Sequence, residues 1–383
     1  MNANLVQLLR CPLCRGTLTL SVFEIGETSD DISSGLLQCE CKMIFPVWKG
    51  VPRMIPREDA SLPPEFLARF ENLLHRDASE PEQAIQIKKA PRNYSFDVEW
   101  SMYRYGELTW ELDLPTRVGY VYQYLEMLPG SLDRSVVLDA GCGNGTLSAG
   151  IAASGPRVVA LDYSDSIERA EAQKKRFAGA GASRLDYVQG DLRRPPFAPK
   201  SFDVVYCDGV LHHTSDTHAA FQAVAALVKV DGRMFTWLYR SDLKPAYKIK
   251  SMGIKTIRSA MRPLPGKMVI GLCYVGAVIL QTRLRLVRLI GIRKRRIVPL
   301  WLKTVNLYDT FTPLYNHQHV PSEVISWFRE EDFSQASEST IPSLGHMGFG
   351  ILGIKNTHAL RVESKLSARA TSPSQEQFSS VGS

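Results

Sequence analysis

The sequence predicts an α/β fold: a doubly wound, mostly parallel sheet with an antiparallel last strand, a small cysteine-bearing module in front and a basic helical insertion. Three observations carry this prediction. From residue 135 onward, apolar runs of strand length alternate with stretches of helical length, the pattern of βαβ units whose strands are buried on both faces. Four of the seven cysteines, Cys11, Cys14, Cys39 and Cys41, lie near the start of the chain in two close pairs. Residues 240–303 carry 16 Lys/Arg against the single acid Asp242, while the rest of the chain has 30 basic and 38 acidic residues.

A chain of 383 residues with 44% apolar and 22% charged residues has ample material for one large or two modest globular domains. The opening MNANLVQLLRCPLC holds no apolar run of secretory length, so a cytoplasmic location is expected. In a reducing compartment a cysteine cluster reads as a metal site rather than a disulfide framework. Residues 1–57 form the expected N-terminal module, and 58–92 a linker with one helix in PPEFLARFENLLHR. The main domain spans 93–357 and includes the 240–303 insertion; the Ser-, Gln- and Ala-rich tail 358–383 is expected to be disordered.

Within the main domain, a helix at 115–127 precedes the strand SVVLDAG, a glycine loop and a helix at 146–154. RVVALDYS, LDYVQGD and FDVVYCDG supply three more strands, with the helix SIERAEAQKKRFAGAG after the first of them. HAAFQAVAALVKVDG is expected to be helical up to its glycine, GRMFTWLYR to be the fifth strand, and PSEVISWFREEDF a helix. Strands near FSQASEST and GFGILGIK close the sheet.

VVLDAGCGNG places an acid, Asp139, at the end of a buried strand, followed by Gly141, Cys142, Gly143, Asn144 and Gly145. Glycines let the backbone approach a ligand, and the next helix offers unpaired N–H groups. The GxGxG spacing departs from the GxGxxG of nicotinamide and flavin sites. Asp162, followed by Tyr163, ends the second strand, where a carboxylate can accept ribose hydroxyls. Asp191 and Leu192 end the third strand, and Cys207 and Asp208 the fourth.

Together with FDVV…GVLHHT…DGRMF, these motifs resemble class I S-adenosylmethionine methyltransferases of the ubiquinone/menaquinone-biosynthesis type, and the resemblance extends through WFREEDF and GFGILGIK. It implies a Rossmann-like fold and S-adenosylmethionine as cofactor. It assigns the methionine end to Asp139 and the glycine loop, the ribose to Asp162 and the adenine to Asp191 with Leu192. Singly, each acid is equally compatible with helix capping.

Cys11, Cys14, Cys39 and Cys41 look like the two knuckles of a zinc ribbon, which implies a structural zinc; four thiolates close a tetrahedral site and leave no catalytic position. The module resembles the zinc-ribbon domains that precede or activate methyltransferases, with FPVWKGVP in place of the family's YPI-x-x-G-I-P. It departs from them in having CxC as the second pair.

For the acceptor side, His212, His213 and Asp208 follow the fourth strand, where a general base is useful; alternatively LHH only packs. Trp100 and Tyr103, in the aromatic stretch 94–110, are further acceptor candidates, against plain packing. So are Tyr315, His317 and His319, with Asp309, in the loop DTFTPLYNHQH, against capping and turn roles. The insertion contains the apolar run MVIGLCYVGAVIL bordered by Lys/Arg, too short to span a bilayer but suited to an anionic membrane interface. A small-molecule or lipid-linked acceptor is therefore expected, with peripheral membrane contact and no transmembrane span. An RNA methyltransferase is the alternative from the basic insertion, and a non-catalytic cofactor-binding scaffold the third reading.

Overall fold

The computed structural model describes residues 1–56, 65–70, 94–104, 106, 108–243, 245–289, 297–341 and 347–356. The expected tail, most of the linker, Tyr105 and the run Arg293–Arg296 lie outside the described residues.

Residues 1–56 fold around a four-stranded antiparallel sheet, β1 (Leu18–Ile25), β2 (Ile32–Cys39), β3 (Ile44–Trp48) and β4 (Val51–Pro52). After α1 (Tyr94–Met102) and α2 (Leu114–Tyr124), the chain enters a seven-stranded sheet. Its strands are β5 (Val136–Ala140), β6 (Arg157–Asp162), β7 (Leu185–Gln189), β8 (Phe202–Asp208), β9 (Val228–Tyr239), β10 (Phe333–Glu338) and β11 (Gly348–Lys355). The spatial order is β10-β11-β9-β8-β5-β6-β7, with β5 to β9 parallel and β11 antiparallel to both neighbours. The chain starts in the middle at β5, runs outward to β7, then returns to β8 on the other side. That reversal opens a crevice at the carboxyl ends of β5 and β8, where open α/β sheets bind ligands.

Helices α3 (Thr146–Ala153), α4 (Ser166–Ala178), α5 (Thr217–Ala225) and α9 (Pro321–Glu330) cover the two faces. The helix expected to continue through ALVKVDG instead stops at Ala225, and Val228 already belongs to β9. β-Branched valines favour the pleated sheet, and the register shift between Phe202 and Val204 on β8 absorbs the turn at Asp231 and Gly232.

The module 1–57 was expected to stand apart, yet its described residues share a core with the main sheet: Leu5, Leu9, Leu37, Phe45 and Val47 belong to one buried cluster with Leu161, Val188, Phe197 and Phe202. Arg53 pairs in parallel with Gln189 of β7, and the Met54 N–H donates to the Gln189 carbonyl at 2.8 Å. The Arg53 guanidinium donates to Glu168 at 3.1 Å. The physical reason is that β7 is an edge strand whose unpaired backbone groups need cover.

The insertion forms α6 (Pro245–Met261) and α7 (Gly266–Leu289), followed by α8 (Leu300–Phe311). Helix α7 starts two residues before the run MVIGLCYVGAVIL and extends nine residues past its end. By length and composition the whole helix would reach across a bilayer, while the apolar run itself remains shorter than a span, as expected. One stripe of it, Val269, Cys273, Ala277 and Gln281, is buried, and Val269 and Cys273 pack with Tyr308 of α8. Helix α8 in turn packs through Leu302 and Val305 on Trp100 and Tyr103. The insertion therefore layers onto α1 rather than onto the sheet.

Candidate active site

A cavity of about 420 Å³ lies over the carboxyl ends of the parallel strands and is closed on the far side by α1 and α8. Its floor comes from the loop after β5. Gly143 adopts φ +57°, and a Cβ there would overlap the indole ring of Trp100, so ring and loop are in direct contact. Gly145, at φ +71°, opens α3, and a Cβ on it would lie 2.6 Å from Ala170 Cβ. Glycine is required at both positions by space and by conformation.

Asp162 ends β6 as expected and lines the cavity. Its Oδ2 accepts from the Gly143 N–H at 2.7 Å, and its Oδ1 from the Ser164 N–H at 2.8 Å and hydroxyl at 2.5 Å. The Tyr163 N–H also donates to this carboxylate, so loop backbone and Ser164 together fix its orientation at the cavity wall. Burial pushes its pKa upward, and these hydrogen bonds oppose that.

Gly141, Tyr163, Asp191, Leu192, Asp208, His213, Trp100, Asp309 and Tyr315 also line the cavity; other candidates do not. Asp139 is buried behind the loop, accepts from the Ser148 hydroxyl at 2.6 Å and is raised to about 6 by burial. Asn144 accepts the Thr146 N–H at 3.1 Å, a local cap. Cys142 and Cys207 are buried thiols raised by desolvation and stand outside the lining. Asp191 is not open to a purine amino group as expected: Arg193 grips both its oxygens, with Nε at 3.1 Å from each and Nη2 at 2.5 Å from Oδ2.

His212 is corrected as a candidate base. It is fully buried beneath the cavity, its ring centre 4.3 Å from that of Tyr239, and burial holds it neutral. His213 does line the cavity, and its Nδ1 lies 2.8 Å from the Tyr315 carbonyl. A carbonyl only accepts, so Nδ1 carries the hydrogen and Nε2 the lone pair; burial lowers the pKa to about 4. Tyr103, His317 and His319 lie outside the lining: Tyr103 packs 5.1 Å from Trp100, His317 stacks on Tyr315, and His319 sits 3.2 Å from Glu323.

Two groups that sequence reasoning did not assign complete the site. The Arg117 guanidinium, from α2, is half-buried behind the lining with Asp139 and Asp208 as electrostatic neighbours, and lies 5.3 Å over the ring of Trp110, which lines the cavity. Glu99 of α1 lines the cavity and forms a hydrogen-bonded carboxyl pair with Asp309. Burial raises both, Asp309 to about 6, and the Glu99 Oε2 is buried without a hydrogen-bond partner. Glu99 left a faint signal, an acid beside Trp100 in an otherwise aromatic stretch. Asp309 belongs to the last turns of α8 rather than to a loop, and its inward direction depends on α8 packing against α1.

The four cysteines converge. Their sulfurs lie within 4.8 Å of one another, with Cys11 Sγ 3.7 Å from Cys41 and Cys14 Sγ 3.3 Å from Cys39. Zn–S bonds of about 2.3 Å in a tetrahedron put sulfurs roughly 3.8 Å apart, so the donor set fits zinc despite the CxC spacing. Among the described residues this is the one cluster of at least three such side chains with metal-holding geometry.

Residues 138–236 match the family model described as a methyltransferase domain. That stretch runs from β5 into β9 and contains the glycine loop, Asp162, Asp191 and Asp208. The ubiquinone biosynthesis O-methyltransferase of Nitrosomonas europaea is 31% identical over 143 residues, covering 37% of this chain and 58% of that protein. The namesake from Yersinia enterocolitica is 34% identical over 122 residues, covering 32% of this chain and 48% of that one. The chain thus spans about half the length of the curated relatives it matches. Among solved structures, magnesium protoporphyrin IX methyltransferase of Synechocystis aligns at TM-score 0.42 and 17% identity, covering 69% of this chain and 96% of that one.

Proposed function

We propose that the protein transfers a methyl group from S-adenosylmethionine to a small organic acceptor, lipid-linked in its natural form. The observation that carries this reading is the Gly143–Asp162 clasp beneath Trp100, set at the sheet's switch point inside a domain of the methyltransferase family. The residues fit the cofactor. Asp162 presents a fixed carboxylate at the cavity wall for a ribose hydroxyl, Arg117 is a half-buried cation behind Trp110 that adds positive potential for a carboxylate, and Tyr163, Leu192 and Arg193 line the cavity beyond Asp162. When bound, the sulfonium supplies a methyl carbon already activated for in-line attack, so the protein chiefly has to align the nucleophile.

The acceptor end is aromatic and acidic: Phe96, Trp237, Tyr239 and Tyr315 surround Glu99 and Asp309. A hydroxyl or amine acceptor must shed a proton, and burial has reversed the ordinary order of basicity here. His213 is held near 4, whereas the carboxyl pair is raised, with Asp309 at about 6. In this reading Glu99 is the protonated partner and donates to Asp309, so the Asp309 carboxylate takes the acceptor's proton, while His213 orients the acceptor as a neutral ring. A structural zinc on Cys11, Cys14, Cys39 and Cys41 completes the proposal.

Calorimetric titration with S-adenosylhomocysteine tests the reading. Micromolar binding supports it; absence of binding at protein concentrations where the fold is intact by circular dichroism refutes it.

A further inference from the structure

Of the seventeen large apolar side chains that stand exposed among the described residues, eleven lie on α6 and α7. Ile249 is 73% exposed, Met252 68% and Ile279 61%, and Leu286 stands out with them. Scattered exposed apolar residues are ordinary, but a concentration of this kind on one two-helix unit marks an interaction surface.

Charge identifies the occupant. No acidic residue occurs between Asp242 and Asp309. Lys255 and Arg262 on α6 and its C-terminal end, Lys267 at the start of α7, and Arg283, Arg285 and Arg288 near its end are all exposed around the apolar face. A second copy of this chain would bring the same positive field against itself, which is repulsive. Nucleic acid would satisfy the cations but leave Ile249 and Ile279 against a phosphate backbone. An anionic lipid surface satisfies both, with headgroups for Lys/Arg and the acyl boundary for the apolar face.

Geometry fixes the orientation. A membrane-crossing α7 would offer its whole circumference to lipid, but the stripe through Val269, Cys273, Ala277 and Gln281 is buried, and the Gln281 amide donates to the Val298 carbonyl at 2.6 Å. The helix must therefore lie along the surface, with α8 behind it.

We propose that the outward face of α6 and α7 lies in the interface of an anionic lipid bilayer. Helix α8, directly behind α7, carries Asp309 into the cavity, so the bilayer sits one helix away from the acceptor end. The link to a lipid-linked acceptor rests on the methyl-transfer reading; lipid binding itself does not.

The test uses the full chain with sucrose-loaded vesicles, either phosphatidylcholine alone or with about 30 mol% phosphatidylglycerol. Sedimentation with the anionic vesicles is expected, weakening as salt rises from about 0.1 to about 0.5 M. Ile249→Glu combined with Ile279→Glu should cut the partition coefficient about tenfold or more, with melting temperature unchanged, because both side chains face solvent. The proposal is overturned by failure to sediment, by equal binding of the double variant, or by a lipid-free dimer that the double variant abolishes. It is equally overturned if single-stranded RNA binds the chain and the vesicles do not. Titration with S-adenosylhomocysteine on the same preparation separates the two readings: lipid binding without cofactor binding refutes methyl transfer and leaves this surface standing.

Discussion

Replacing Asp309 by Asn should make the protein more stable, and increasingly so as pH rises. Burial raises this carboxyl from 3.8 to about 6 in the folded state, with attraction to Arg258 opposing it only in part. Between those two values the folded chain binds more protons than the unfolded one, so stability falls as pH rises through the window; above it the full penalty of a buried charge persists. Converted at about 1.4 kcal/mol per tenfold, the penalty is about 1.5 kcal/mol at pH 5 and about 3 kcal/mol at pH 8. An asparagine keeps the shape and one hydrogen bond to Glu99 but carries no charge. Thermal unfolding of both proteins at the two pH values measures the difference, and a gap widening by about 1.5 kcal/mol corresponds to roughly 3 °C in a domain of this size. A variant less stable than the parent at pH 8, or a gap that does not widen, would show that the pair is not held as a strained acid. That outcome would remove the basis for assigning it the proton. Stability given up at a buried carboxyl is the usual signature of a group kept for chemistry.

Three further outcomes are expected. Asp162→Ala should lower S-adenosylhomocysteine affinity by at least about tenfold in calorimetry without altering the melting profile, since the lost ligand bond is worth about 1.5 kcal/mol or more; unchanged affinity would move the ribose site elsewhere. Gly143→Ala, strained at φ +57° and overlapping Trp100, should abolish that binding, and Trp100→Ala in the same chain should recover part of it by removing the overlap. Purified protein should contain about one zinc per chain by elemental analysis, and Cys39→Ser should lose the metal together with thermal stability; a fully stable, zinc-free parent protein would mean that the cysteines serve as core thiols.

Much of the architecture was legible because it rests on local rules. The run VVLDAG reads as a doubly buried strand, its glycines announce positive-φ turns, and Asp162 falls where a parallel strand must end. What was not legible depended on packing between distant segments. His212 and His213 are adjacent in sequence and chemically alike, yet a single step of a short helical turn leaves one sealed beneath Tyr239 and the other in the cavity wall. Asp191 had the right position, but Arg193, two residues on, closes over it, and no pattern distinguishes an ion pair of that span from two independent side chains. Glu99 enters the site, and meets the Asp309 that the sequence did suggest, only because α1 and α8 pack where they do. The insertion read as basic and apolar from composition alone; which of its faces is buried became visible only once the stripe from Val269 to Gln281 was seen against α8.

The pairing of Arg53 with Gln189 also bears on how this protein misassembles. The outer strand of its large sheet is met at Gln189 by the chain's own N-terminal segment and all five of its residues are buried, so β7 is a poor template for a neighbouring molecule. A shortened chain beginning at residue 93 would keep every residue of the cavity, yet bare the backbone of Leu185–Gln189 together with Leu161, Val188 and Phe197. Its expected fate is strand-to-strand association and insolubility rather than unfolding. The N-terminal segment is in this sense a stopper for the edge of the seven-stranded sheet.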